Sequence, residues 1–179
     1  MTPDEILKAI DALPESERAD LMAQLNARYP QASPRRQLEM LPTGSTFPVD
    51  LVLTFDGGSR GNPGPAYGSF GLAFAGEKPK ITRLEFGSLT NNEAEYQTLI
   101  RGVKSLLQKL GEREMDPGLL VLEIRGDSAL VINQLKGEWK VKEPRMGELR
   151  DAARALLRRF KAVRFTQQPR ARSVELLGH

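Results

Sequence analysis

The chain has 179 residues, 40% hydrophobic and 27% charged, with a formal net charge of +3, one histidine and no cysteine. That length and balance fit one ordinary globular domain with a small appendage, and they exclude a collagen-like repeat, a disulfide scaffold, Cys-type zinc clusters and thiol nucleophiles. No run approaches the roughly 18 apolar residues of a membrane span, and the acidic start Met-Thr-Pro-Asp-Glu is unlike a basic secretory signal, so the expectation is a cytoplasmic protein with no membrane partner.

Residues 1–28 are predicted as a helical hairpin. Thr2, Pro3 and Glu5 fit a capping box with proline at the first helical position, and Ile6, Leu7 and Ile10 follow at helical spacing. Pro14 restarts the pattern, and Ala19, Leu21, Met22 and Leu25 share one side of a second helix. So short a pair buries little alone, so it is expected to pack on the main domain, on a second copy through self-association, or on a protein partner. Residues 29–48, punctuated by Pro30, Pro34, Pro42, Gly44 and Pro48, read as a linker.

The main domain is expected over 49–179. Leu51, Leu53 and Phe55 alternate in an apolar run that stops at Asp56-Gly57-Gly58, a strand ending in a glycine-rich turn. Strands over 67–75 and 81–86 complete an antiparallel meander. A helix over 92–110 carries the stripe Ala94, Leu99, Val103, Leu106 and Leu107. The apolar run 119–125 suits a central parallel strand covered on both faces. A helix over 128–135, a loop around Trp139, an Arg-rich helix over 146–160 and a strand at 162–166 follow, giving the α/β order βββαβααβ. Charge is segregated along this order: residues 135–172 carry 12 basic and 4 acidic side chains. Such an excess marks a surface for a polyanion or a solvated Arg-rich helix.

Three acids occupy positions where chemistry gathers. Asp56 ends the first strand, Glu95 lies in the first turn of the 92–110 helix, and Asp127 directly follows the fourth strand. Sites in α/β sheets form beyond the strand ends, where neighbouring central strands would set Asp56 beside Asp127. Carboxylates sharing a dry cleft hold a proton between them or bind a divalent cation, Mg²⁺ or Mn²⁺ for an all-oxygen site. Each acid alone could equally cap a turn or helix.

The surrounding residues bear on that choice. Asp56-Gly57-Gly58-Ser59-Arg60-Gly61-Asn62-Pro63-Gly64-Pro65-Ala66, then Thr90-Asn91-Asn92-Glu93-Ala94-Glu95-Tyr96, then Gly126-Asp127-Ser128 with Asn133-Gln134-Leu135 resemble the ribonuclease H type 1 family, and the likeness extends over residues 50–170. The resemblance implies an RNase H-like five-stranded mixed sheet, three antiparallel strands followed by parallel ones, flanked by helices. It implies an endoribonuclease that cleaves the RNA strand of RNA/DNA hybrids with two Mg²⁺ or Mn²⁺ ions, leaving 3′-hydroxyl and 5′-phosphate ends. Asp56, Glu95 and Asp127 match three of the family's four catalytic metal-binding acids. The glycine turn and the Thr-Asn-Asn segment match its minor-groove contacts, so Gly57, Asn62, Asn91, Asn92 and Ser128 are assigned to substrate. Trp139, with Lys140 and Lys142, joins them. For Asn62 and Asn91 the alternative is a turn or cap role, and for Trp139 a local core anchor. Arg150, Arg154 and Arg158 share a helix face, which reads as a phosphate track or a solvated surface.

The pattern departs at the C-terminus. Pro169-Arg170-Ala171-Arg172-Ser173-Val174-Glu175-Leu176-Leu177 places Leu177 where the family has its fourth acid. His179, favoured, and Glu175 are the alternative fourth ligands, each two positions away and so rotated about 200° on an ideal helix. Histidine would favour Mn²⁺ over Mg²⁺. Gln167 and Gln168 stand where some family members place a mobile histidine. The missing carboxylate leaves a rival reading, a catalytically weakened nucleic-acid-binding module; a nuclease for other nucleic-acid substrates is a third, which the Asn-rich segments argue against.

Overall fold

The computed structural model describes residues 2, 8–28 and 37–178, and the chain divides into two units between Arg36 and Gln37. In the first unit a helical turn over residues 8–11 precedes helix α1 (Glu15–Arg28). Glu15 and Glu17 in its first turn suit the positive end of the helix dipole. Pro14 supplies the carbonyl that accepts the Arg18 N–H, so the second helix starts where the sequence pattern restarts. Pro3, Glu5, Ile6 and Leu7, central to the expected capping box and first stripe, lie outside the described residues.

The second unit is built on β1 (Leu51–Ser59), β2 (Gly64–Phe74), β3 (Lys80–Leu89), β4 (Val121–Gly126) and β5 (Ala162–Gln167), in the sheet order β3-β2-β1-β4-β5. The pairs β1–β2 and β2–β3 are antiparallel, while β1–β4 and β4–β5 are parallel, which is the expected mixed sheet. Helices α2 (Asn91–Glu112), α3 (Ala129–Lys136), α4 (Pro144–Leu157) and α5 (Arg170–Leu177) complete it. Among the described residues no helix is long and apolar enough to cross a membrane.

Burial follows the strand positions. Central β1 is buried along most of its length, whereas the edge strand β3 alternates between exposed and half-buried residues. The predicted stripe of α2, Ala94, Leu99, Val103, Leu106 and Leu107, is buried in the core with Leu51, Leu53, Phe55 and Phe70. Gly102 permits the close approach: a Cβ there would stand 3.0 Å from Leu53 Cδ1. Tyr96 ties α2 to α3 by donating its hydroxyl to Gln134 Oε1 at 2.9 Å.

Residues 37–48 correct the expected linker boundary. Leu38 is part of the core, Met40 pairs with Val163 as an isolated parallel bridge, and Leu41 N–H donates to the Val163 carbonyl at 2.9 Å. This stretch covers the open edge of β5, satisfying backbone groups that an edge strand would otherwise present to other chains. Arg164 holds the continuation, donating to the carbonyls of Ser45 and Phe47 at 2.9 Å each.

Candidate active site

The sheet register explains why the acids meet. Thr54 of β1 pairs with Arg125 of β4, so Asp56 and Asp127 each stand two residues beyond a registered parallel pair and share a face. Glu95 arrives from α2, whose start rests on Gly57. A Cβ on Gly57 would lie 2.6 Å from the Ala94 carbonyl oxygen, so a larger residue would push the helix away from β1. Thr90 fixes where α2 begins: its hydroxyl accepts the Glu93 N–H at 3.3 Å, and Glu93 accepts the Thr90 N–H at 2.8 Å, a reciprocal capping box. Arg145 at the start of α4 adds an ion pair to Glu93.

The result is a compact acidic group. Ligand oxygens of Asp56, Glu95 and Asp127 all lie within 4.8 Å of one another. Asp56 is 1% exposed and Glu95 8%. Burial, together with the neighbouring charges of Asp56 and Asp127, pushes the Glu95 carboxyl up to about 9, although the Gly57 backbone hydrogen bond and the Arg170 charge oppose the shift. Glu95 Oε2 is buried and accepts no hydrogen bond. A buried acceptor lacking a donor amid like charges costs free energy unless a cation satisfies it. The donor set is all oxygen, which suits a hard divalent cation such as Mg²⁺ or Mn²⁺. The residues present therefore fit a divalent ion held by Asp56, Glu95 and Asp127.

The other sequence-predicted residues surround this centre in different ways. Asn91 Oδ1 accepts the Ser59 N–H at 2.8 Å, and Asn62 Oδ1 accepts the Asn91 N–H at 3.1 Å, so the carbonyl ends of both amides lock the β1–β2 turn to the start of α2. Asn92 is exposed. Ser128 caps α3, its hydroxyl accepting the Val131 N–H at 3.4 Å. Trp139 is 49% exposed in the loop after α3, and the exposed Lys140 and Lys142 follow it. The arginines of α4 divide: Arg154 donates to the Leu135 carbonyl at 3.0 Å, closing the end of α3, and Arg150 pairs with its neighbour Asp151. Two of the three arginines on this face are therefore engaged within the domain.

At the C-terminus, Leu177 is 1% exposed and packs toward β2, where a Cβ on Gly71 would meet Leu177 Cδ2 at 3.6 Å. Ser173 and Leu177, four residues apart, take the buried face of α5. Glu175 is consequently turned away, as a two-residue offset requires, and lines a surface cavity with Thr54, Lys78, Arg125 and Arg172 instead of joining the acids. The helix ends at Leu177, capped by Gly178 in the left-handed region at φ 78°. His179 lies outside the described residues. Sequence reasoning passed over Arg170, whose Nη1 stands 3.7 Å from Asp127 Oδ2. Its position directly after Pro169 was visible, but nothing local signalled a partner 43 residues earlier.

Fold and acidic centre together define an RNase H-like protein. The sequence signature of the family described as Reverse transcriptase-like matches residues 81–175, and the chain belongs to that family. It is similar to the Bifunctional protein Rv2228c of Mycobacterium tuberculosis, 38% identical over 129 residues covering 70% of this chain and 33% of that protein. It is also similar to the Ribonuclease HI of Halobacterium salinarum, 39% identical over 124 residues covering 65% of this chain and 55% of the relative. The chain thus spans between a third and just over half the length of these curated relatives. Among solved structures, LC11-RNase H1 in complex with an RNA/DNA hybrid superposes with a TM-score of 0.62 at 32% identity, covering 70% of this chain and 90% of that one.

Proposed function

We propose that this chain is an endoribonuclease that hydrolyses the RNA strand of RNA/DNA hybrids with two divalent ions, Mg²⁺ or Mn²⁺, leaving 3′-hydroxyl and 5′-phosphate ends. The observation that carries the reading is the convergence of Asp56 in β1, Glu95 in α2 and Asp127 just after β4, with a buried Glu95 oxygen that accepts no hydrogen bond. Asp56, Glu95 and Asp127 would hold the divalent ions, which when bound would supply an activated water and charge neutralisation at the leaving oxygen, chemistry that needs no protein nucleophile and accords with a chain lacking cysteine.

The protein's own part is to bind and align. Asp56, Glu95 and Asp127 hold the ions, and Gly57 lets the Glu95 helix approach and offers its N–H to that carboxylate. Asn62, Asn91 and Asn92 sit on the turn and helix start beside the acids. In this reading their amide groups and nearby backbone meet the sugar edge of the minor groove, where the 2′-hydroxyl distinguishes RNA from DNA. Trp139 offers an exposed aromatic face, and Lys140 and Lys142 supply phosphate contacts on the flanking loop. A hybrid labelled at either strand tests this. Incubated with Mg²⁺ or Mn²⁺, the RNA label shortens to products with 5′-phosphates while the DNA label and a DNA duplex stay intact; cleavage of the DNA strand contradicts the reading.

Leu177 favours one rival. With an apolar core residue in the place of the fourth acid, the domain could bind hybrid without turning it over. A pure binder retards the hybrid in a gel yet cleaves nothing with either ion.

A further inference from the structure

The face of the sheet that carries Asp56 continues beyond the acidic centre. Asp56 of β1 pairs with Ser69 of β2, and Ser69 pairs with Arg83 of β3. Directly opposed residues project to the same face, so Asp56, Ser69 and Arg83 form one straight row, with the Arg83 backbone two strands, or roughly 10 Å, from that of the acid. Ser69 is 1% exposed, and its short side chain leaves a gap in the middle of the row. The next row toward the β1–β2 turn pairs Gly58 with Tyr67 and Tyr67 with Glu85. A Cβ on Gly58 would stand 2.9 Å from the Tyr67 hydroxyl, so the phenol lies over β1.

These two rows line a surface cavity of about 420 Å³, to which Arg60 and Gly178 also contribute. Both arginines are exposed. Arg60 directly follows β1, its N–H donating to the Pro65 carbonyl at 2.9 Å. Arg83 is steadied from the end of α5, its Nη2 donating to the Gly178 carbonyl at 3.3 Å. None of the ion pairs among the described residues takes up either arginine, so two guanidinium charges stand at the cavity against the carboxylate of Glu85.

Resting on the proposed nuclease reading, we propose that Arg60 and Arg83 grip a phosphate of the RNA strand beside the linkage that is cleaved, and so position that strand along the row from Asp56 to Arg83.

A polyanion that sets one phosphodiester at Asp56 carries its next charge close by, and the cavity adjoining Asp56 holds more positive than negative side chains. Guanidinium groups present planar forks of donors that match phosphate oxygens. The strand is RNA because the row is in line with the acids, where the proposed reaction puts the RNA. Arg83 lies outside residues 56–66 and 90–96, the segments whose resemblance assigns substrate contacts, so it adds β3 to the binding surface. Glu85 repels the same phosphate, and removing its charge works in the opposite direction to removing an arginine. Both arginines hold the strand and take no part in breaking the bond.

The test uses the full chain and its Arg60→Gln, Arg83→Gln, Arg83→Lys and Glu85→Gln variants, with binding to a labelled RNA/DNA hybrid read by fluorescence anisotropy in EDTA so that no strand is cut. Arg60→Gln and Arg83→Gln are each expected to weaken binding about two- to five-fold and to lower the slope of log affinity against log salt by about one phosphate contact. Arg83→Lys keeps the wild-type slope, and Glu85→Gln tightens binding by up to about two-fold. Neutral methylphosphonate linkages, moved one at a time along either strand, locate the contact: one RNA linkage beside that at the acidic centre costs wild type a similar factor and costs Arg83→Gln nothing more. Unchanged affinity and slope in Arg60→Gln or Arg83→Gln overturn the role of that arginine, as does a loss that adds in full at every RNA linkage, or coupling confined to the DNA strand. Arg83, not Arg60, carries the hydrogen bond to Gly178, so Arg60→Gln decides the site even where a lowered melting temperature shows that Arg83→Gln loosens α5. A hybrid bound with this coupling yet left whole when Mg²⁺ or Mn²⁺ is added refutes the nuclease reading alone; cleavage without the coupling refutes the phosphate contact alone.

Discussion

Two buried glutamates of this domain have opposite electrostatic fates. Glu123 of β4 is shut away as thoroughly as Glu95, yet Arg125 donates to it at 2.7 Å, Arg164 at 3.1 Å and Thr166 at 2.7 Å. Burial works against its ionisation, but those hydrogen bonds and the Arg125 charge outweigh it and hold the carboxyl at about 2. Glu95 has Asp56 and Asp127 beside it where Glu123 has two arginines, and its carboxyl rises to about 9. Desolvation is common to both, so the neighbours decide the outcome. One glutamate is a finished structural joint linking β4 to β5; the other is crowded by like charge, which is the basis of the proposed cation site. Keeping like-charged carboxyls together in a buried site costs stability, a trade that binding sites commonly make.

The largest effect expected from breaking this contrast comes from Glu95→Gln. Hybrid cleavage falls by about 1000-fold or more, equal to about 4 kcal/mol of transition-state stabilisation, while the metal-free protein melts at a higher temperature than wild type because a crowded acid is gone. A variant that is inactive and also less stable would show that Glu95 is a structural residue like Glu123. Leu177→Ala comes next: removing a fully buried leucine from the face of α5 costs about 2–5 kcal/mol, read by chemical denaturation. A cost below about 1 kcal/mol would mean that α5 does not anchor the sheet.

Glu123 predicts an acid limb. Its folded carboxyl titrates at about 2 against an ordinary 4.5, so its contribution is complete above about pH 4.5 and disappears as pH falls toward 2. The size is on the order of 3 kcal/mol, and Glu123→Gln should flatten that part of the stability profile. A profile of unchanged shape would contradict the ion-pair account. Smallest of all is Glu175→Gln: an exposed acid turned from the centre should change kcat and metal affinity by less than about two-fold, and a larger loss would place it in the site after all.

Much of this was legible in the chain. Alternation at Leu51, Leu53 and Phe55 and the apolar stripe of α2 express local periodicity and map onto observed elements, whereas the strand expected to stop at Asp56 runs on through Gly57 and Gly58 to Ser59, because both glycines pair with β2. The three acids could be singled out by their places beside glycines and at a helix start, although Asp56 lies within β1, three residues before its end; register then brings them together. What escaped reading depends on distant pairings. Residues 37–48 look like a linker by their prolines, yet they cover β5 because Met40 meets Val163 and Ser45 meets Arg164. Arg154 looked like part of a phosphate track, but the Leu135 carbonyl it caps belongs to another helix. Arg170 likewise gains its meaning only from Asp127 across the fold.

The central claim is that Asp56, Glu95 and Asp127 act together as a divalent-metal nuclease centre, and Asp127→Asn tests it most directly. On a hybrid labelled in its RNA strand, with Mg²⁺ or Mn²⁺ present, wild type should cleave while Asp127→Asn, folded and still able to bind the hybrid, leaves the RNA intact. Cleavage by Asp127→Asn at the wild-type rate would contradict the assignment.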